Sequence, residues 1–189
     1  MVADDLGWVH LVVLVAVIAF GAVVPVVPTG PTLAAAAVLA HDEAPWELLL
    51  VLAAGWLGAY LGDCVVFVVF SATGGRVADK VPWLRADRPA VTRMRTRIEE
   101  NDVAAMTVSR LIPAGRLPVL IAAALSGYPW HRFAVTCVFS AGAWAVLYVG
   151  IGVLGGAVVP SNTVALIAAV VVAFAVGVVP KAMPRRHAT

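Results

Sequence analysis

Five long apolar runs set the terms for this chain: Val9–Ala40, Leu48–Phe70, Val103–Tyr128, Phe133–Val159 and Val164–Val179. A helix that crosses the hydrocarbon core of a bilayer needs about 20 mostly apolar residues. Leu48–Phe70 and Phe133–Val159 meet that requirement, and Val164–Val179 meets it with Thr163 and Pro180 at the interfaces. The other two runs are long but interrupted, the first by Pro25-Val-Val-Pro-Thr-Gly-Pro31 and the second by Ile112-Pro-Ala-Gly-Arg-Leu-Pro118. With 62% hydrophobic and 13% charged residues, and a mean hydropathy of +0.96, the chain has too much apolar surface for a soluble domain. The expected class is an all-α polytopic membrane protein.

The connecting segments carry the topology. Arg76, Lys80, Arg85, Arg88, Arg93, Arg95 and Arg97 fall in one stretch, and Lys181, Arg185 and Arg186 follow the last run. The positive-inside rule puts both on the cytoplasmic side. The link His41–Glu47 has three acids and no Lys or Arg, and the N-terminus has Asp4 and Asp5 and no Lys or Arg, so both read as external. That N-terminus is acidic where a cleaved signal peptide is basic, and no cleavage is expected.

With those sides assigned, Val9–Ala40 and Val103–Tyr128 each return to the side they left, while the three uninterrupted runs span. The expectation is two opposed re-entrant helix-break-helix segments plus about three spanning helices, in an inverted repeat. Its parts form one membrane domain over 1–189. They are repeat one at about 9–70, a cytoplasmic amphipathic segment at 76–102, repeat two at about 103–159, a C-terminal helix at 163–180 and a basic tail at 181–189. A short span over Val9–Val24 with an internal start is the competing topology. The turns of the two re-entrant segments are placed at Pro28, Gly30 and Pro31, and at Pro113, Gly115 and Pro118. Freed backbone groups at such breaks have no water in hydrocarbon, so these residues should line an interior cleft.

Into the second break the sequence puts Arg110 and Arg116, in Ser109-Arg-Leu-Ile-Pro-Ala-Gly-Arg-Leu-Pro-Val119. Either could reach back to the interface. Aimed into the cleft instead, two guanidinium forks beside a half-helix N-terminus would make an anion site suited to phosphate. Asp63, in Gly58-Ala-Tyr-Leu-Gly-Asp63, is the one acid inside a spanning run. It reads either as an ion-coupling residue or as the charge partner of an arginine. Gly58 with Gly62, and Gly152 with Gly156, read first as ordinary small-residue helix packing. Cys64 and Cys137 read as small buried hydrophobes, and Trp8, Trp46, Trp83 and Trp130 as interfacial anchors. Arg85–Glu100, with Val91, Met94 and Ile98 on one face, reads as a helix on the membrane surface.

The order of Gly62-Asp63, Gly75-Arg76, a basic stretch, Arg110-Leu-Ile-Pro-Ala-Gly-Arg116 and a segment holding Trp144 resembles the DedA family of bacterial inner-membrane proteins, whose shared unit is the VTT domain. The resemblance runs from about Phe20 to Gly156. It implies lipid transport: family members are implicated in returning undecaprenyl phosphate to the cytoplasmic leaflet and in membrane homeostasis, several of them with the proton gradient. It also implies that Arg110 and Arg116 are functional. The family's first re-entrant loop usually carries acids where this sequence has Gly21 and Gly30, and no acid stands between Asp5 and Asp42. Transport here is then downhill, or uses Asp63 as its proton carrier, or serves a different lipid.

The expected function is a lipid-phosphate translocase of the cytoplasmic membrane, with Arg110 and Arg116 on the phosphate and no chemistry performed. Its partners are membrane lipids, either a polyprenyl phosphate or an anionic phospholipid. A general phospholipid scramblase is the alternative. A lipid phosphatase is less favoured, because Ser109 and His131 have no acidic or metal-binding set around them. An ion transporter and a purely structural protein complete the field. No cofactor, no metal and no nucleic-acid partner is expected, and a homo-oligomer remains open.

Overall fold

The computed structural model describes residues 2–24, 28–41, 45–73, 101–111 and 115–158. Among them are six α-helices: α1 Val2–Val23, α2 Thr29–His41, α3 Pro45–Thr73, α4 Asp102–Leu111, α5 Arg116–Leu125 and α6 Trp130–Val158. The expected cytoplasmic segment, the C-terminal helix and basic tail, and Pro113 lie outside the described residues, except for Asn101 and Asp102 at the start of α4.

The helix ends follow local chemistry. Both interrupted runs break where prolines and glycine stand, α1 giving way to α2 and α4 to α5. Gly30 and Pro31 lie in the first turn of α2, and Pro118 in the first turn of α5. Proline is tolerated there because the first-turn N–H groups have no helical acceptor to lose. Pro28 and Gly115 are the residues that flank the breaks. Pro28 accepts from both the amide and the hydroxyl of Thr32, at 3.2 and 3.0 Å. At α4 the Asn101 side chain accepts from the Ala104 amide at 3.0 Å, an N-cap. Helix α5 stops at Ser126-Gly127, where Gly127 takes φ 73° and the Tyr128 amide reaches back to the Ala123 carbonyl.

Helices α3 and α6 have 29 residues each, about 43 Å, which exceeds the roughly 30 Å hydrocarbon core. Both are long and apolar enough to cross a membrane. Their outward faces are apolar as well: Val65, Val68 and Val69 on α3, Val135, Phe139 and Leu154 on α6, with Phe20 on α1, are exposed. Water would penalise that belt and lipid would not. Trp46 and Trp130 are exposed in the first turns of α3 and α6, and Trp8 is exposed seven residues into α1. The chain is a membrane protein.

Two cores hold the helices together. One joins α1, α2, α3 and α6 around Ile18, Leu33, Val38, Trp144 and Tyr148. The other joins α3, α4, α5 and α6 around Phe67, Met106, Leu120 and Phe133, with the Phe67 and Phe133 rings stacked at 4.0 Å. The small-residue faces do pack helices. At Gly62 a Cβ would stand 2.7 Å from the Ala19 carbonyl oxygen, so α1 lies directly on α3. Helix α2 meets α6 the same way at Gly152.

Candidate functional site

Between the two cores, all three intramembrane charges singled out in the sequence meet. Asp63 stands ten residues, about 15 Å, before the end of α3, at 1% exposure. Arg110 closes the last turn of α4 and Arg116 opens α5, so the break between those helices brings both guanidinia to the carboxylate. The two ion pairs divide its oxygens, with Arg110 Nη2 on Oδ2 and Arg116 Nη2 on Oδ1. Arg116 Nε also donates to Oδ1 at 2.5 Å. Neither arginine turns back to the interface.

The second contacts of each arginine differ. Arg110 Nε donates to Ser140 Oγ at 3.2 Å, and Ser140 in turn donates to the Cys137 carbonyl at 3.4 Å. Cys137 Sγ lies 3.3 Å from Asp63 Oδ2. Arg116 Nη2 donates to the Ala22 carbonyl at 3.0 Å, near the end of α1. That carbonyl is among the last four of the helix, which have no partner within it. Side-chain exposure separates the two arginines: 4% for Arg110 and 19% for Arg116. Two guanidinia and one carboxylate leave the cluster with one positive charge. Inside a low-dielectric bundle such a surplus calls for an anion.

Sequence reasoning found the three charges but missed Ser140, the Ala22 carbonyl and the site role of Cys137. The cysteine is buried as expected, yet its sulfur touches the carboxylate rather than only filling space. Nothing in the residue types around positions 22, 137 or 140 marks them out.

Gly21 and Gly30, in the acid-free first interrupted run, are both buried. At Gly30 a Cβ would lie 2.5 Å from Tyr148 Cζ, so the tyrosine ring fills the place of a side chain. Ser109, the candidate nucleophile of the phosphatase reading, donates to the Met106 carbonyl at 2.7 Å, and His131 is exposed at the start of α6. A groove of about 840 Å³ runs between α1, α2 and α3, lined by Trp8, Leu11, Leu14, Val17, Trp46 and Leu50 among others. None of the three charged residues lines it. Among the described residues no group of three His, Cys, Asp or Glu side chains could hold a metal ion.

No curated protein and no solved structure matches the chain. A family model does: the VTT domain matches residues 8–154, which takes in α2 to α5, most of α1 and α6, and every member of the charged cluster. The chain therefore belongs to the VTT-domain family, the DedA family of the sequence reading.

Proposed function

We propose that this chain is a lipid translocase of the bacterial cytoplasmic membrane, moving a lipid phosphate such as undecaprenyl phosphate between leaflets. The observation that carries the reading is the buried Asp63–Arg110–Arg116 cluster, with its surplus positive charge and with Arg116 partly open. A guanidinium presents two parallel N–H donors to phosphate oxygens and keeps its charge when desolvated. The apolar tail stays in the bilayer, and no bond is made or broken. Membership of the VTT-domain family supports a role in lipid transport or membrane homeostasis.

The inverted repeat belongs to the same reading, and the spacing of the elements supports it. Helices α3 and α6 are equal in length and start 85 residues apart, as Gly30 and Gly115 also stand 85 apart. The contacts exchange accordingly: α1 packs on α3 as α4 packs on α6, and α2 packs on α6 as α5 packs on α3. Two re-entrant pairs, α1–α2 from outside and α4–α5 from the cytoplasm, fit this exchange. A cytoplasmic C-terminus and a cytoplasmic 76–102 segment belong to the same reading and rest on their basic residues.

Transport is downhill in this reading. The first interrupted run has no acid, and Tyr148 occupies the space at Gly30 that one would need. The test is movement of labelled undecaprenyl phosphate in proteoliposomes, with and without a pH gradient. Wild type should move it without a gradient, and Arg116→Ala should not, although inserted. Movement at the wild-type rate by Arg116→Ala would refute the site, and movement only with a gradient would reinstate Asp63 as a proton carrier. A labelled glycerophospholipid in the same vesicles separates a dedicated translocase from a general scramblase.

A further inference from the structure

We infer that Asp63 is a resident counter-ion of the phosphate site: it holds Arg116 while the site is empty, and yields Arg116, but not Arg110, to the incoming lipid phosphate. The inference rests on the translocase reading and adds how the site loads and unloads.

The division of the carboxylate makes the exchange feasible. Oδ2 serves Arg110 and Cys137, and Oδ1 serves Arg116. When Arg116 leaves, Asp63 and Arg110 remain a neutral pair through Oδ2, still braced by Ser140. Each ionised group keeps a partner of opposite sign at every stage, so the large penalty of a wholly unpaired buried ion is avoided. Arg110 is suited to stay, being 4% exposed and held from both α3 and α6. Arg116 is suited to leave: at 19% exposure it is the open edge of the cluster.

The acceptors are interchangeable in kind. Arg116 gives up a carboxylate oxygen and the Ala22 carbonyl, and a phosphate presents several oxygens to the same fork. Its position as the first residue of the ten-residue α5 adds the positive end of that helix, whose N-cap Gly115 supplies no side-chain cap. A translocase also has to let go. Unopposed, a buried arginine would retain phosphate, whereas a carboxylate in reach competes for the guanidinium and speeds release. The exchange has a mechanical side, because Arg116 caps α1 through Ala22. Helix α1 has no basic residue of its own in its last turn. Phosphate uptake therefore uncaps α1 at the edge of its break.

The test uses the full chain in nanodiscs with undecaprenyl phosphate as probe. The double variant Asp63→Asn/Arg110→Gln keeps the single surplus charge and removes the competing carboxylate. It should bind the lipid about tenfold tighter than wild type, the factor one uncontested charge-assisted bond supplies, and should move it more slowly. A folded double variant that binds no tighter overturns the counter-ion role while the translocase reading stands. Should the double variant not fold, phenylglyoxal modification of wild type, mapped by mass spectrometry, decides. Lipid should protect Arg116 and leave Arg110 unchanged, and equal protection of both would overturn the exchange. Wild type that neither binds nor moves the probe removes the translocase reading and this inference with it.

Discussion

The ring of Tyr148 on α6 lies over Gly30 on α2, in the space a side chain at position 30 would need. The same ring packs on Trp144 with centroids 5.2 Å apart, so it cannot swing aside without disturbing the first core. Gly30→Ala should lower stability by about 1–3 kcal/mol, the usual cost of overpacking. Gly30→Ala combined with Tyr148→Ala should cost less than the two single changes added together, since the cavity accepts the methyl. Thermal unfolding in detergent of the four proteins closes the cycle, and simple additivity would show that the two residues do not share this space.

Within the charged cluster, Asp63→Ala should destabilise most. It leaves two buried guanidinia facing each other, and removing one partner of a buried pair costs about 3–5 kcal/mol. Arg110→Met should cost less, because Asp63 keeps Arg116 and the apolar stem is retained. Denaturation midpoints rank the variants, and an Arg110→Met protein less stable than Asp63→Ala would contradict this order.

Helix α1 is seated on α3 through Gly62, where the Ala19 carbonyl and the Ala22 side chain leave no room. Gly62→Val should therefore separate the two helices and deplete folded protein in the membrane. Gly7→Val, where a Cβ would meet nothing within 4 Å, serves as the control. Fluorescence size-exclusion of the two variants gives the comparison, with Gly7→Val close to wild type.

Tyr128, in the turn between α5 and α6, donates to Asp102 Oδ2 at 2.5 Å and ties that turn to the start of α4. Tyr128→Phe removes one hydrogen bond to a charged acceptor and should cost about 1.5–3 kcal/mol. Asn101→Ala removes the neighbouring cap and should cost about 1 kcal/mol. Hydrogen exchange of the α4 amides should rise in both variants.

The elements were legible in the sequence to different depths. Long apolar runs announce α3 and α6, and the prolines announce the breaks, because both signals are local. Arg110, Arg116 and Asp63 stand out because charge is rare in such runs. What could not be read is who meets whom. Asp63 pairs with residues 47 and 53 positions away, and Arg116 finds a carbonyl 94 positions back. Those meetings depend on helix rotation and on which helix is seated at Gly62 and at Gly152, and residue type marks such a seat without naming its partner. Cys137 illustrates the limit: by composition it is a small hydrophobe, and only packing puts its sulfur on a carboxylate. Pro31 and Pro118 read as turn residues in the sequence and stand in first helical turns, since proline starts a helix as readily as it ends one.

The glycine seat between α1 and α3 would also restrict the route of a lipid headgroup in the proposed translocation. A seam that has no room for a methyl group at Gly62 has none for a phosphate. Under the proposed translocation, the headgroup would be confined to the other flank of α1, where the helix is joined to α5 by the Arg116–Ala22 hydrogen bond. On that flank the barrier is a polar contact, which an anion can replace, rather than packed atoms, which it cannot.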